Sequence, residues 1–424
     1  MSDLLKVIDL FDDGLGRVEV PNDKRTHKVI AGVPGDRVQV RWVYAGPRSR
    51  VGEITHLVPG PNRRPEPCAY RPECGGCPTE TVDDQFAHGW KRRRALQTLD
   101  WLAPALDDEG AATGRGPWRR RQKFLVVRSR GEVTLKVPGP RNTSPLAIPN
   151  CPILPNALRS RMALLEEQLN HPTLSSVHAV VLTAGMANEE GLASVGIGLI
   201  GEEPCPDERP AVGREGDAVA WQQSKRSRQL LSGTDAPQPY SGPASVACAV
   251  GTLILPTPPF AFLQAHPGQS NLLRRTVLDF APEPQPGDRA VDSGAGTGLF
   301  ARSLAQVGWS VLAIEASAAA EPAWRNPVPG VTFTRQRAAA ADWPERPRLV
   351  VCDPPRAGMG SDWTTSLLAA NPEHIIMLHC GLPAAARDLQ ALRESGYTLV
   401  SARVVDLFPG TPHIELVSSW RQQA

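Results

Sequence analysis

Hydrophobic and polar positions alternate in short bursts at the start of the chain. Runs at Leu4–Leu10, Gly16–Val20, Lys28–Ala31, Arg37–Val43 and Val51–Val58 are separated by turn sequences such as Asp12-Asp13-Gly14 and Pro34-Gly35-Asp36. Period-two alternation bounded by such turns predicts strands, and five short strands with glycine turns suit an OB-like barrel, a common platform for oligonucleotides. Pro59-Gly60-Pro61-Asn62 then reads as a linker. The period lengthens over Asp83–Leu102 and Pro155–Leu169, which predicts helices. Runs at Trp118–Val127, Glu132–Val137, Ser175–Ala184 and Ala193–Ile200 predict strands of a central α+β region. Residues 202 to 247 are polar and patternless, and read as irregular.

The last third alternates strand and helix. Thr252–Leu255, Gly287–Asp292, Val311–Ile314, Arg348–Cys352 and Ile375–Leu378 are compact apolar runs, with a helical stretch at Gln269–Phe280 between the first two. Such alternation predicts an α/β domain with a largely parallel sheet. The expected organisation is a barrel over 1–60, a central domain over 61–250 and an α/β domain over 251–424. A length of 424 residues agrees, being too long for one hydrophobic core.

Charge and cysteine usage sharpen the picture. The net charge of +2 does not by itself announce nucleic acid. Local clusters say more: Lys91 with Arg92, Arg93 and Arg94; Arg119, Arg120 and Arg121 with Lys123; and Lys225 and Arg226 with Arg228. Together with Trp90, Trp118 and Trp221 they predict an RNA-binding face, because aromatic rings stack bases while cations neutralise phosphates. No stretch approaches the roughly 20 apolar residues of a membrane span, and the N-terminus lacks a secretory layout. A cytoplasmic, monomeric protein with no membrane partner is expected. In a reducing compartment, eight cysteines point to metal ligation or catalysis rather than disulfides.

Cys68-x5-Cys74-Gly75-Gly76-Cys77-Pro78 is the strongest local metal signal, and Cys151, within Pro149-Asn150-Cys151-Pro152, is the natural fourth ligand. Four thiolates fit structural zinc or an iron–sulfur cluster. The uneven spacing, with one distant ligand, is unlike a paired zinc ribbon and favours a 4Fe–4S cluster. Cys205 and Cys248 have no partner pattern.

In the α/β region, Asp292-Ser293-Gly294-Ala295-Gly296-Thr297-Gly298 is a glycine-rich turn between strand and helix, where backbone N–H groups can approach a ligand. Glu315, at the end of the following strand, is placed to accept hydrogen bonds from a ribose. This pattern suits a dinucleotide or S-adenosylmethionine. The later strand ending in Asp353-Pro354-Pro355-Arg356 favours a methyltransferase sheet. The strand at 375–378 breaks at Cys380-Gly381, and Glu415 follows in His413-Ile414-Glu415. Cys380, Asp353 and Glu415, each expected just past a hydrophobic strand, are predicted to converge on one pocket.

Taken in order, these motifs make the chain resemble the RNA (uracil-5)-methyltransferase family, in particular its iron–sulfur branch that modifies 23S ribosomal RNA. The resemblance runs over nearly the whole length: the barrel, similar to a TRAM domain; the C-x5-C-G-G-C signature; Phe262-Leu263-Gln264; the glycine loop; Asp353-Pro354; the Cys380 loop with Arg387-Asp388; and Phe408-Pro409 through Glu415. Where the family commonly reads Ser-Cys-Asn-Pro, this chain reads His379-Cys380-Gly381-Leu382. The resemblance implies a class I methyltransferase fold, S-adenosylmethionine and an RNA substrate. It also implies Cys380 as the nucleophile at uracil C6, Glu415 as the base that removes the C5 proton, and Gln264 and Asp353 as holders of donor and base edge. The cluster is expected to support RNA-binding architecture rather than redox chemistry. The alternatives are a transfer-RNA substrate, or a non-catalytic RNA-binding or assembly protein that keeps the fold.

Overall fold

The structure, a computed structural model, describes residues 4–64, 68–71, 73–111, 116–139, 144–225 and 236–423. The first five strands, β1 (Leu5–Leu10), β2 (Gly16–Val18), β3 (Thr26–Val29), β4 (Arg37–Ala45) and β5 (Ser49–Val58), close into a barrel in the order β1-β2-β3-β5-β4. Alternation explains it: Val7, Val18, Val29 and Val38 point inward and pack together, while their neighbours face out. Asp36 pins the seam. Its carboxylate accepts from Val33 N–H and is gripped by Arg63.

Helix α1 (Asp84–Thr98) begins where Asp83 caps the N–H of Phe86. The pattern of Ala95, Leu99 and Leu102 turns its far end onto the C-terminal sheet. The central strands are β6 (Arg121–Ser129), β7 (Glu132–Val137), β8 (Leu146–Ala147), β9 (Val177–Ala187), β10 (Ala193–Gly201), β11 (Ala218–Gln223) and β12 (Gln238–Ser241). They form one sheet in the order β12-β11-β10-β9-β6-β7-β8. Helix α2 (Asn156–Gln168) covers it with Leu158, Met162 and Leu165, spaced three and four apart on one stripe. Burying each such side chain contributes about 1.5–3 kcal/mol. A hairpin of β13 (Val246–Val250) and β14 (Leu253–Thr257) follows. Thus the stretch 202–247, expected to be irregular, carries β11, β12 and the start of β13, and the strand expected from Trp118 begins at Arg121.

The C-terminal part runs α3 (Pro267–Phe280), β15 (Arg289–Ser293), α4 (Leu299–Gln306), β16 (Ser310–Ile314), β17 (Val331–Thr334), β18 (Leu349–Cys352), α5 (Gly360–Ala370), β19 (His374–His379), α6 (Leu382–Glu394), β20 (Tyr397–Val405) and β21 (Glu415–Gln422). Its sheet is ordered β17-β16-β15-β18-β19-β21-β20, with every strand parallel except β21, which runs antiparallel to both neighbours. The order reverses between β15 and β18, the switch point at which open α/β sheets bind ligands. The predicted fold class is borne out: a class I methyltransferase-type α/β sheet with an N-terminal closed barrel and an α+β region between.

Most members of the basic clusters are not free to form the RNA-binding face that their sequence suggests; among the described residues only Arg93 and Lys225 of these clusters are exposed. Trp90, Trp118 and Trp221 are core side chains, and Lys91 is fully buried against Asp406. Arg120 donates to the Gln264 and Ala249 carbonyls, and Arg121 to Thr183 Oγ1 and the Pro259 carbonyl. These guanidiniums are consumed by distant strand ends. In the third cluster, Arg226 and Arg228 lie outside the described residues. Among the described residues no helix is long and apolar enough to cross a membrane.

Candidate active site

Parallel register brings the ends of β15, β16 and β18 level: Ser293 pairs with Ile314 and with Cys352, and Cys352 with Met377 of β19. The loops leaving those strands carry Gly294, Glu315, Asp353 and Cys380. Glu415 does not follow a strand, as was expected; it opens β21. Because β21 runs antiparallel to β19, with Leu416 opposite His379, its first residue reaches the same edge as the parallel strands' last. The predicted convergence is therefore met by opposite strand polarity.

The glycine loop is shaped by its backbone. Gly294 sits at φ +85°, and a Cβ there would lie 2.6 Å from the Asp353 carbonyl oxygen, so only glycine fits. Gly296, also left-handed, faces open space, the cradle a ligand needs. Glu315 accepts from Gly296 N–H at 2.8 Å and Ser317 N–H at 2.6 Å, locking the loop to β16. Gly298 starts α4. Asp292 is fully buried; one oxygen accepts from Ala301 N–H at 2.7 Å and the other has no partner. Burial, with Asp353 and Glu315 nearby, pushes its carboxyl up to about 8. Leu263 packs in a cluster bordered by Leu299, the first residue of α4, which brings the Phe260–Gln264 segment to this loop. The indole of Trp324 donates to the Gly296 carbonyl at 2.9 Å and stacks on Phe333. No signal beyond its aromatic character singled Trp324 out in the sequence.

Across the switch point, Cys380, Glu415, Asp353 and Arg356 lie within electrostatic reach of one another. Burial pushes the Cys380 thiol up to about 11, helped by Glu415 and Asp353 and opposed by Arg356. Burial and Asp353 hold Glu415 well above the usual carboxylate range, again opposed by Arg356. Asp353 is raised to about 7 by burial and by the charge of Glu315. Burial thus favours the protonated forms of Asp353 and Glu415, while Arg356 opposes it at Glu415. Arg356 Nη2 lies 3.4 Å from both ring nitrogens of His413. Burial and Arg356 lower His413 to about 4, so its ring is neutral and able to accept. Asp388 accepts from Met359 N–H and pairs with His379, clasping the Asp353–Met359 loop to the strand end beside Cys380.

Cys68, Cys74, Cys77 and Cys151 are free thiols drawn into one neighbourhood: Cys68, Cys77 and Cys151 each feel Cys74. Tyr70 ties the two segments, its hydroxyl accepting from Asn150 N–H at 3.0 Å. Half-buried Arg119 faces Cys77, Cys151 and Cys74. The sulfurs are not gathered to ligating geometry: among the described residues, no three His, Cys, Asp or Glu side chains are placed to hold an ion. The donor set itself, four soft thiols beside the half-buried guanidiniums of Arg71 and Arg119, suits a thiolate-bound metal centre.

The cysteine segment is remote from Cys380 in sequence but not in space. Thr79 N–H donates to the Gly410 carbonyl at 2.9 Å, within the loop leading to Glu415. Lys91 of α1 donates to Asp406 and to the Phe408 carbonyl, and Arg94 donates to the Pro412 carbonyl. Two segments from the first hundred residues, the cysteine segment and α1, thereby fix the loop from Asp406 to His413.

No protein-family model matches the chain. It is 28% identical over 98% of its length to an uncharacterized RNA methyltransferase of Caulobacter vibrioides, covering 99% of that protein. It is 27% identical over 98% of its length to the 23S rRNA (uracil(1939)-C(5))-methyltransferase RlmD of Pseudomonas fluorescens, covering 93% of it. The RlmD of Chromohalobacter salexigens is 29% identical, with 98% of this chain and 88% of that one aligned. Among solved structures, a tRNA (uracil-54, C5)-methyltransferase of Pyrococcus abyssi in complex with S-adenosyl-L-homocysteine superposes with a TM-score of 0.73. It is 20% identical, and the match covers 99% of this chain and all of that one. The end-to-end resemblance expected from the motifs is borne out.

Proposed function

We propose that this chain, similar along its length to RNA methyltransferases, transfers a methyl group from S-adenosylmethionine to C5 of a uridine, with 23S ribosomal RNA as the substrate class. The observation that carries the reading is the meeting of Cys380, Glu415 and Asp353 beside a glycine loop open at Gly296. The relatives named for 23S rRNA favour the ribosomal substrate; the Pyrococcus fold neighbour favours transfer RNA as the second reading.

The glycine loop residues Asp292, Gly294, Gly296 and Gly298, with Glu315, Gln264 and Asp353, would hold the donor. The orphaned buried oxygen of Asp292 and the uncrowded α-carbon of Gly296 fit that role. S-adenosylmethionine, when bound, supplies an electrophilic methyl group. Uracil C5 is a weak nucleophile until C6 is attacked. The Cys380 thiolate forms a bond to C6, and the displaced π electrons make an enolate through C4 and O4. C5 then bonds to the methyl carbon as the bond from that carbon to the donor sulfur breaks, its electron pair staying on sulfur as a neutral thioether. Glu415, as the carboxylate, takes the proton left on C5; the electron pair restores the C5–C6 double bond and the sulfur–C6 bond breaks. Arg356 favours the ionised forms of both Cys380 and Glu415, offsetting the burial that holds them neutral at rest. The ring must leave its stack to enter the pocket.

A 4Fe–4S cluster is assigned to Cys68, Cys74, Cys77 and Cys151. There it would supply a rigid four-point tie between the two cysteine segments, with Arg119 as countercharge and no electron transfer required. Visible absorbance with iron and sulfide analysis separates it from zinc. We further take the chain as three units (1–60, a TRAM-like barrel; 61–250; 251–424) and as a cytoplasmic monomer. The activity is tested by incubating purified protein and labelled S-adenosylmethionine with 23S and transfer RNA transcripts and mapping the product nucleoside. 5-Methyluridine in 23S RNA is expected; its absence from both RNAs overturns the reading.

A further inference from the structure

A cleft of about 640 Å3 lies between β1 and the first turns of α1, outside the candidate active site, and is lined by Lys6, Ile8, Asp9, Asn62, Phe86 and Arg93 among others. Its volume falls within the range of small-ligand sites. Its chemistry is selective. The guanidinium of Arg93 lies over the Phe86 ring, 5.4 Å from its centroid. Arg93 and Lys6 are exposed, and neither has a carboxylate partner among the described residues, whereas Arg92 and Arg94 on the same helix pair with Asp108 and Asp12. One oxygen of the Asp9 carboxylate accepts from Leu10 N–H, and its charge stays on the cleft wall, set against the two cations Lys6 and Arg93. Asn62 donates to the Pro34 carbonyl, which leaves its side-chain oxygen free to accept.

We propose that this cleft is a nucleotide subsite for a single-stranded RNA segment flanking the target uridine, with one base stacked on the Phe86–Arg93 surface and phosphates on Lys6 and Arg93. Aromatic and guanidinium planes are what unstacked RNA bases use, and unpaired cations are what the backbone needs. The placement suits a flank: the helix that carries Phe86 and Arg93 also donates, through Lys91 and Arg94, to the loop leading to Glu415. A strand bound here would be held by the element that positions the catalytic loop. The inference rests on the proposed RNA methylation and specifies where that substrate extends.

The test uses the full-length protein and two RNAs, a hairpin with the target uridine only and the same hairpin with about ten single-stranded flanking nucleotides, within the range one OB-type fold engages. The variants are Lys6→Glu with Arg93→Glu, and separately Phe86→Leu, which keeps the packing against Leu10 and Val82 but removes the π face. Loss of one stacked base predicts a roughly 5- to 150-fold weaker affinity of Phe86→Leu for the extended RNA. Losing two phosphate contacts predicts a salt-dependence slope shallower by about 1.4 for the double variant. The short hairpin should be methylated with unchanged kcat and KM by all three proteins. Equal affinities and slopes for the extended RNA overturn the subsite, as does selective loss of binding to polyglutamate with RNA binding intact. Wild-type protein that binds the extended RNA through these residues yet methylates neither RNA supports the subsite and refutes the proposed activity.

Discussion

Replacing Glu415 by Gln removes the group assigned to take the C5 proton while leaving its shape. The side chain is buried at 2% exposure beside Cys380, so three consequences follow from one change. First, loss of the base should slow turnover by about 10²- to 10⁴-fold. The thiolate adduct, methylated but unable to lose its proton, should accumulate as a covalent protein–RNA species on denaturing gels with ordinary RNA. Second, the charge of Glu415 is the next cause after burial of the raised Cys380 thiol, so its removal should bring that thiol down from about 11. The pH profile of alkylation by iodoacetamide reads this directly. Third, Glu415 in the fold holds its proton far above the unfolded value of 4.5. Between 4.5 and the folded value the folded state binds more protons than the unfolded one, so wild-type stability falls as pH rises through that window. The Gln variant, which cannot titrate there, should therefore gain stability over wild type on the alkaline side of that window and little below it. Differential scanning calorimetry against pH measures the gap. A variant with wild-type turnover, no adduct and an unshifted thiol would refute the reasoning.

Other outcomes can be stated more briefly. Gly294→Ala places a Cβ 2.6 Å from the Asp353 carbonyl at a left-handed φ, and should abolish S-adenosylmethionine binding in isothermal titration, whereas Gly287→Ala, left-handed but with no atom near its Cβ position, should leave it intact. Lys91→Met strands Asp406 without its cation in a buried site and should cost about 3–5 kcal/mol in denaturant unfolding. Cys77→Ser should eliminate the iron and sulfide content. Through the Thr79–Gly410 hydrogen bond it should also raise hydrogen exchange across Asp406–His413; unchanged exchange there would separate the cysteine segment from the catalytic loop.

Much of this arrangement is readable in one dimension, and most of the exceptions share a cause. The barrel's alternating valines, the glycine loop and the strand-breaking Cys380-Gly381 are local signals, each set by the residues beside it. Strand β12, at the rim of its sheet, was hidden because it carries few apolar residues, being Gln-Pro-Tyr-Ser, whereas the apolar runs of β11 and β13 on either side of it were legible signals passed over. The arginines from 119 to 121 looked like a surface run because nothing local distinguishes an arginine facing water from one bonded to carbonyls 129 and 144 residues away. The same blindness separated the cysteine segment from the catalytic loop, which only folding brings within a hydrogen bond. Glu415 reaches the edge that carries Cys380 and Asp353 although its strand runs the other way, because an antiparallel start and a parallel end share an edge.

The central claim is covalent activation of the pyrimidine by Cys380. RNA carrying 5-fluorouridine at the target position cannot give up a proton from C5, so wild-type protein with S-adenosylmethionine should form a stable stoichiometric adduct, and mass spectrometry of its peptides should locate the nucleotide on Cys380. Cys380→Ala should form none and methylate no RNA. An adduct on another residue, or undiminished methylation by Cys380→Ala, would contradict the account.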